Sequence, residues 1–228
     1  MNARTYRPIP LALTLTIAVF SALVALAVSG GNDAHAHGDA AVRSTADVTH
    51  KELALRNEMR RLWEDHVTWT RMAVVSLVAG SPDTSATVAR LLRNQADIGD
   101  AVKPFYGKAA GAALTRELRR HILIAAELIA AAKKGDGAAL ADAQARWRAN
   151  ADDIAALLAS VNPNWKQGAL RAMLGEHLRL TTQEAVARLE RRWAADVVAY
   201  DRIHRHALQM ADALSAGLAA QFPKRFEG

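Results

Sequence analysis

The chain has no cysteine in 228 residues. That excludes disulfides, thiolate catalysis, cysteine-ligated zinc, thiolate-held iron–sulfur clusters and a lipid-modified cysteine. Thirteen Gly and six Pro are too few for a linker-rich or collagen-like chain. Aromatics are 5% of the residues, β-branched runs are sparse and alanine fills long stretches, which excludes an all-β fold. No Lys/Arg block is interleaved with aromatic residues, so no nucleic acid is expected as a partner. The chain also lacks a P-loop, a Gly-x-Gly-x-x-Gly turn, a Gly-x-Ser-x-Gly elbow and a Cys-x-x-Cys-His haem attachment. Nucleotide transferases, dehydrogenases and serine hydrolases are thus without their signatures.

What is present is apolar, at 51% hydrophobic residues, and mildly basic, with a formal charge of +6. Basic residues mostly stand beside acidic ones, as in Arg56, Glu58, Arg60, Arg61 and Glu64, which fits solvated helix faces. The amino terminus is different. Arg4 and Arg7 precede an uncharged run over residues 8–32, followed by Ala34-His35-Ala36. Basic residues, an apolar stretch and an Ala-x-Ala site make a secretory signal peptide cleaved before His37. Residues 11–28 are also just long enough to span a bilayer, so an uncleaved signal anchor is the other outcome. The division expected is therefore residues 1–36 as signal peptide or signal-anchor helix, 37–47 as flexible linker and 48–228 as the helical domain. In both cases the basic end stays in the cytoplasm. The domain is then periplasmic, secreted or anchored in the cytoplasmic membrane, with the membrane a partner through residues 8–32 if the leader is kept.

From residue 48 the apolar period is helical. Leu55, Met59, Leu62, His66, Trp69, Ala73 and Leu77 trace one face, stopped by Gly80-Ser81-Pro82-Asp83, where Ser81 or Asp83 can cap the next helix. Val88, Leu91, Gln95, Ile98 and Val102 trace a second, ended by Pro104 and Gly107. Leu114, Leu118, His121 and Leu128 trace a third, stopped at Gly135, and Leu140, Trp147, Ile154 and Leu158 a fourth, ended near Asn162. Leu170, Leu174, His177 and Thr181 trace a fifth. Trp193, Val197, Tyr200, His204, Leu208 and Ala211 trace a sixth. No Gly or Pro separates Glu190 from Trp193, so one bent helix in place of the last two is an alternative. The tryptophans at stripe positions are expected in the core.

Residues 94–121 shifted by 56 fall on 150–177 with seven identities in 28 positions, among them Asn94/Asn150, Asp97/Asp153 and His121/His177. His-φ-x-φ recurs at His66, His121 and His177, and an Asp-Ile/Val pair at Asp97, Asp153 and Asp196. The fold expected is an all-α antiparallel bundle of about six helices, built from three hairpin repeats and preceded by the signal or anchor helix. The segments LWEDHVTWTR, RLLRNQADIGDAVKPFYG, RWRANADDIAALL and QFPKRF are similar to a family of uncharacterised bacterial Ala-rich helical proteins. The resemblance covers roughly residues 55–226. It implies a helical domain, and no activity or site residue comes with it.

Chemistry can sit on the stripe histidines His66, His121, His177 and His204, with Asp201 at i, i+3 to His204. On facing helices such imidazoles can converge on a transition metal. Glu64, Asp65, Glu127 and Glu184 lie one or two turns away as further carboxylates. The two Glu-x-x-His motifs of a di-iron bundle are missing. The competing use is structural: each histidine donates to an Asp of the repeat, such as Asp97 or Asp153, and fixes hairpin register. Asn94 and Asn150 would act likewise, and Glu184 with Arg188 reads as an ordinary i, i+4 pair. The function expected is a non-enzymatic ligand-sensing or protein-interaction module of the cell envelope. The alternative is a metal-storage bundle or metal-dependent enzyme.

Overall fold

The computed structural model describes residues 48–227. The candidate signal peptide or anchor helix over residues 1–36 and the linker over residues 37–47 lie outside them. The described part is all-α: α1 (His50–Ala79), α2 (Thr84–Lys134), α3 (Gly137–Val161), α4 (Gln167–Leu189) and α5 (Trp193–Gln221), closed by a short 3₁₀ turn at Pro223–Arg225. Among the described residues no helix is long and apolar enough to cross a membrane.

The local signals explain the elements. Thr49 opens α1 with a capping box: its hydroxyl accepts from Glu52 N–H at 3.1 Å, and its own N–H donates to the Glu52 carboxylate at 3.2 Å. Gly80 and Gly135 end α1 and α2 in the left-handed region at φ 67° and 75°. Asp83 stands at the N-cap of α2, but its side chain does not cap. It accepts instead from Ser76 Oγ at 2.8 Å, tying the turn back to α1.

The predicted stop at Pro104 and Gly107 appears as a reversal inside α2. Gly107 takes φ 81°, ψ 172°, a region essentially reserved for glycine. The chain doubles back there, because Gly99 and Gly111 meet closely: a Cβ on Gly99 would lie 2.7 Å from Gly111 O. In a continuous helix those residues would be about 18 Å apart. Five helices thus supply six arms. Contacts run in a circuit from α1 to α2, α3, α4, α5 and back to α1, and the main core lies inside it, around Met59, Leu118, Trp147, Ile154, Leu174 and Met210.

The last two helices keep the break expected between them and correct the stripe of the second. α4 and α5 are separate, and Arg191 carries the break at φ 57°. The α5 stripe is also rotated. Trp193 and Val197 are 52% and 53% exposed, while Asp196, Ala199, Ile203, Ala207 and Met210 are buried. An ion cluster explains the rotation. Arg71 donates to Glu184 at 3.0 Å and, through Nη2, to Asp196 at 2.8 Å, and Arg188 reaches Asp196 at 3.1 Å. Arg188 therefore pairs with Asp196 rather than Glu184. Burying Asp196 for this cluster turns Trp193 outward, where the Arg188 guanidinium lies 4.8 Å from its ring centre.

Gly107→Ala should lower stability by about 1–3 kcal/mol, since alanine is strained at that φ, ψ. Gly175→Ala, on a helix with open space around the new methyl, should be neutral or stabilising by up to about 1 kcal/mol. Urea unfolding of both variants reads the difference; equal effects would contradict the reversal.

A buried imidazole layer as candidate functional site

α1, α2 and α4 each carry one histidine into the middle of the bundle. His66, His121 and His177 are 3%, 4% and 4% exposed. His177 is the hub: its ring centre lies 5.7 Å from that of His66, 6.0 Å from His121 and 6.4 Å from His206. The structure thus brings together three of the five candidate ligands and adds His206, which the sequence reading passed over. His204 is turned to the surface, where Nε2 lies 3.1 Å from Glu64 Oε1, and Asp201 is exposed. A stripe rotated by about half a turn separates His204 from His206, and the burial of Asp196 fixes which of them faces inward.

The histidines are held by amides, and the predicted Asp partners are elsewhere. His121 Nδ1 donates to Asn150 Oδ1 at 2.8 Å, and the Asn150 amide is fixed by donating to Glu117 O at 3.2 Å. Gln95 Nε2 lies 3.2 Å from His66 Nδ1 and also donates to Leu91 O and Asn94 Oδ1. With the amide nitrogen donating, His66 Nδ1 accepts. Both pairs are 29 residues apart in sequence, and His206 stands at the same separation from His177. Asp97 is exposed, and Asp153 is an exposed partner of Arg120 at 3.1 Å. Asn94 donates to Leu62 O, and Asn150 accepts from the His121 imidazole, so each of the two Asn residues ties its arm to a neighbouring one. The further carboxylates are engaged away from the rings: Asp65 with Arg90, Glu127 with Arg146 and Glu184 with Arg71.

Two features leave the layer incomplete. His177 Nδ1 is buried with no hydrogen-bond partner, as are Gln95 Oε1 and the indole nitrogens of Trp63, Trp147 and Trp165. A cavity of about 30 Å³, lined by Met59, Trp63, Trp165, Met173, Met210 and neighbouring aliphatics but by no histidine, meets the layer through Trp63, whose ring centre lies 5.5 Å from that of His66. Such a volume takes one or two waters or a very small ligand. Among the described residues no three His, Asp or Glu side chains are gathered as a polydentate metal centre requires.

Electrostatics keep the rings neutral. Burial pushes His66 and His121 down to about 4, reinforced at His66 by the charge His121 would carry. Burial also holds His177 well below its ordinary value, helped by repulsion from the other three rings. Glu184 behaves oppositely: burial raises it to about 7 against the pull of Arg71. Burial alone would raise Asp196 too, but hydrogen bonds and charge from Arg71 and Arg188 bring it below the usual range.

No family model, no curated protein and no solved structure matches this chain.

Stability should fall as pH drops from about 6.5 toward about 4. The unfolded imidazoles take up protons in that window while the folded ones do not. Glu184 works in the other direction, its proton favouring the fold below about 7, so the fall should steepen in Glu184→Gln. Denaturant unfolding from pH 8 to pH 4 measures the slope; stability flat or rising toward pH 4 in that variant would contradict neutral buried rings. Asn150→Ala should cost about 1–3 kcal/mol by stranding the His121 N–H, whereas Asp153→Ala should stay within about 0.5 kcal/mol.

Proposed function

We propose that the chain is an exported or membrane-anchored helical-bundle protein of the cell envelope, which senses a ligand without catalysing a reaction. The observation that carries this is the imidazole layer near a cavity: three buried rings with a fourth, half-buried one at their edge, and one of the buried rings with an unpartnered nitrogen. Incomplete polar satisfaction at the centre of a well-packed core is the mark of a place that receives something. Among the described residues His66, His121 and His177 pair with no carboxylate and no nucleophile, an arrangement better suited to holding a ligand than to transforming it. Export rests on the leader, with its basic residues, apolar run and Ala34-His35-Ala36.

The bundle reads as three related hairpins, in keeping with the uncharacterised Ala-rich helical proteins it resembles. His66, His121 and His177 lead the hairpins, and Gln95, Asn150 and His206 answer at a common separation. A repeat of this kind places one polar pair per hairpin at the axis. The second reading, a metal-binding bundle, is favoured by His66, His121 and His177 meeting at one level; His204 and Asp201 do not join them.

Fractionation of the producing cell, with amino-terminal sequencing of the recovered protein, tests the location. A start at His37 in the soluble envelope fraction, or an intact Met1 in the membrane fraction, is expected. Recovery from the cytosol would overturn the proposal.

A further inference from the structure

We propose that His121 and His177 hold a single cuprous ion between them, in two-coordinate fashion, at the centre of the bundle. This rests on the reading that the interior receives a ligand, and it names the ligand.

The nitrogen edges come first. His121 Nδ1 donates to Asn150, so its Nε2 carries the lone pair. His177 Nδ1 is buried and unpartnered. A ligating histidine whose other ring nitrogen is fixed by an amide or carbonyl is the usual outer-shell arrangement of metal sites. The pattern is present at His121, and again at His206, whose Nε2 donates to Met173 O at 3.0 Å. His66 is the exception: its Nδ1 accepts from Gln95, which puts its proton on Nε2 and leaves it as a flanking donor.

Distance is the second support. A metal lying between two imidazoles on a straight line needs about 2 Å of bond on each side and about 1 Å from each nitrogen to its ring centre, about 6 Å in all. The His121 and His177 centres are 6.0 Å apart. Two ligands are also what the surroundings allow, since no group of three is gathered among the described residues.

Charge and coordination select the ion. Among the described residues no carboxylate pairs with His121 or His177; the one imidazole–carboxylate salt bridge is His204 with Glu64 at the surface, and Glu176 is near enough to feel the charge of His206 at the rim. Glu117 stands behind the Asn150 amide, which donates to its carboxylate at 3.2 Å. A divalent ion would stand uncompensated in an apolar interior, whereas a monovalent one halves the charge to be buried. Imidazole is a donor that suits copper, and a single charge with low coordination is the cuprous state's habit; Met59, Met173 and Met210 line the cavity beyond Trp63 and keep that side apolar. Rings that stay neutral have no proton to lose on binding.

The test uses the full chain, purified without a His-tag and carrying His35→Ala and His37→Ala to remove the imidazoles near the leader. Anaerobic titration with Cu(I) against a chromogenic cuprous chelator should show one equivalent captured. X-ray absorption should show nitrogen ligation of low coordination number. His121→Asn and His177→Asn should each weaken capture at least tenfold, and Asn150→Ala by about 10- to 100-fold through the loosened His121. His204→Ala should bind as the parent does. Circular dichroism and thermal unfolding report whether each variant folds; should a ligand variant not fold, Asn150→Ala, which keeps both ligands, decides. No Cu(I) uptake by the parent, undiminished uptake by the folded variants, or tighter uptake of Zn(II) than of Cu(I) would overturn the proposal. A chain that lies in the envelope but ignores copper would leave the ligand-sensing reading standing. A chain that binds copper in the cytosol would remove that reading and leave this one.

Discussion

A neutral imidazole inside a helical core needs a partner on the facing helix, and the register of this bundle depends on that need. An unpaired buried N–H or lone pair costs as much as several well-packed methylenes return. His121 and Asn150 can meet only if α2 and α3 are aligned at one axial level, and His66 and Gln95 set the same condition for α1 and the first arm of α2. Apolar stripes alone tolerate sliding by a turn, because Leu and Ala on neighbouring turns are near-equivalent. The amide–imidazole pairs remove that freedom.

The same accounting governs the far end of the bundle. Glu184 and Asp196 are each 1% exposed, and they are tolerable there because Arg71 and Arg188 reach them. A buried ion cluster contributes little net stability against apolar residues of the same size, but removing one member leaves a buried charge alone. Its effect is conformational. It closes the α4–α5 corner without a glycine and sets the rotation of α5, so that His206 and not His204 enters the imidazole layer. The two polar devices are coupled through one helix: the corner decides which histidine completes the centre.

The centre then has a character that neither device has by itself. Its three buried rings are uncharged, its hydrogen-bond capacity is not used up, and Trp63 links it to a small methionine-lined cavity. A layer that served only to fix register would be expected to close its hydrogen bonds, as His121 does at Nδ1. His177, flanked by three rings and bonded at Nδ1 to none of them, departs from that pattern.

The all-α class, the helix stops at Gly80, Gly135 and Asn162, and the inward positions of His66, His121 and His177 were legible from periodicity and turn chemistry. These are local properties: a 3.6-residue period and a left-handed glycine act over a few residues and need no knowledge of the rest of the chain. The partners were not legible. Asp97 and Asp153 recur as regularly as Asn150 does, and recurrence cannot say which side of a helix faces a neighbour; three residues, most of a turn, separate Asn150 from Asp153 and put one at the axis and the other in solvent. Nor could the α5 stripe be read correctly, since Trp193 and Val197 are more apolar than Asp196 and only Arg71, 125 residues away, makes the aspartate the better one to bury. Where apolar burial decides, composition and period suffice. Where a buried polar group decides, its partner lies on another helix, and only the packed structure brings the two together.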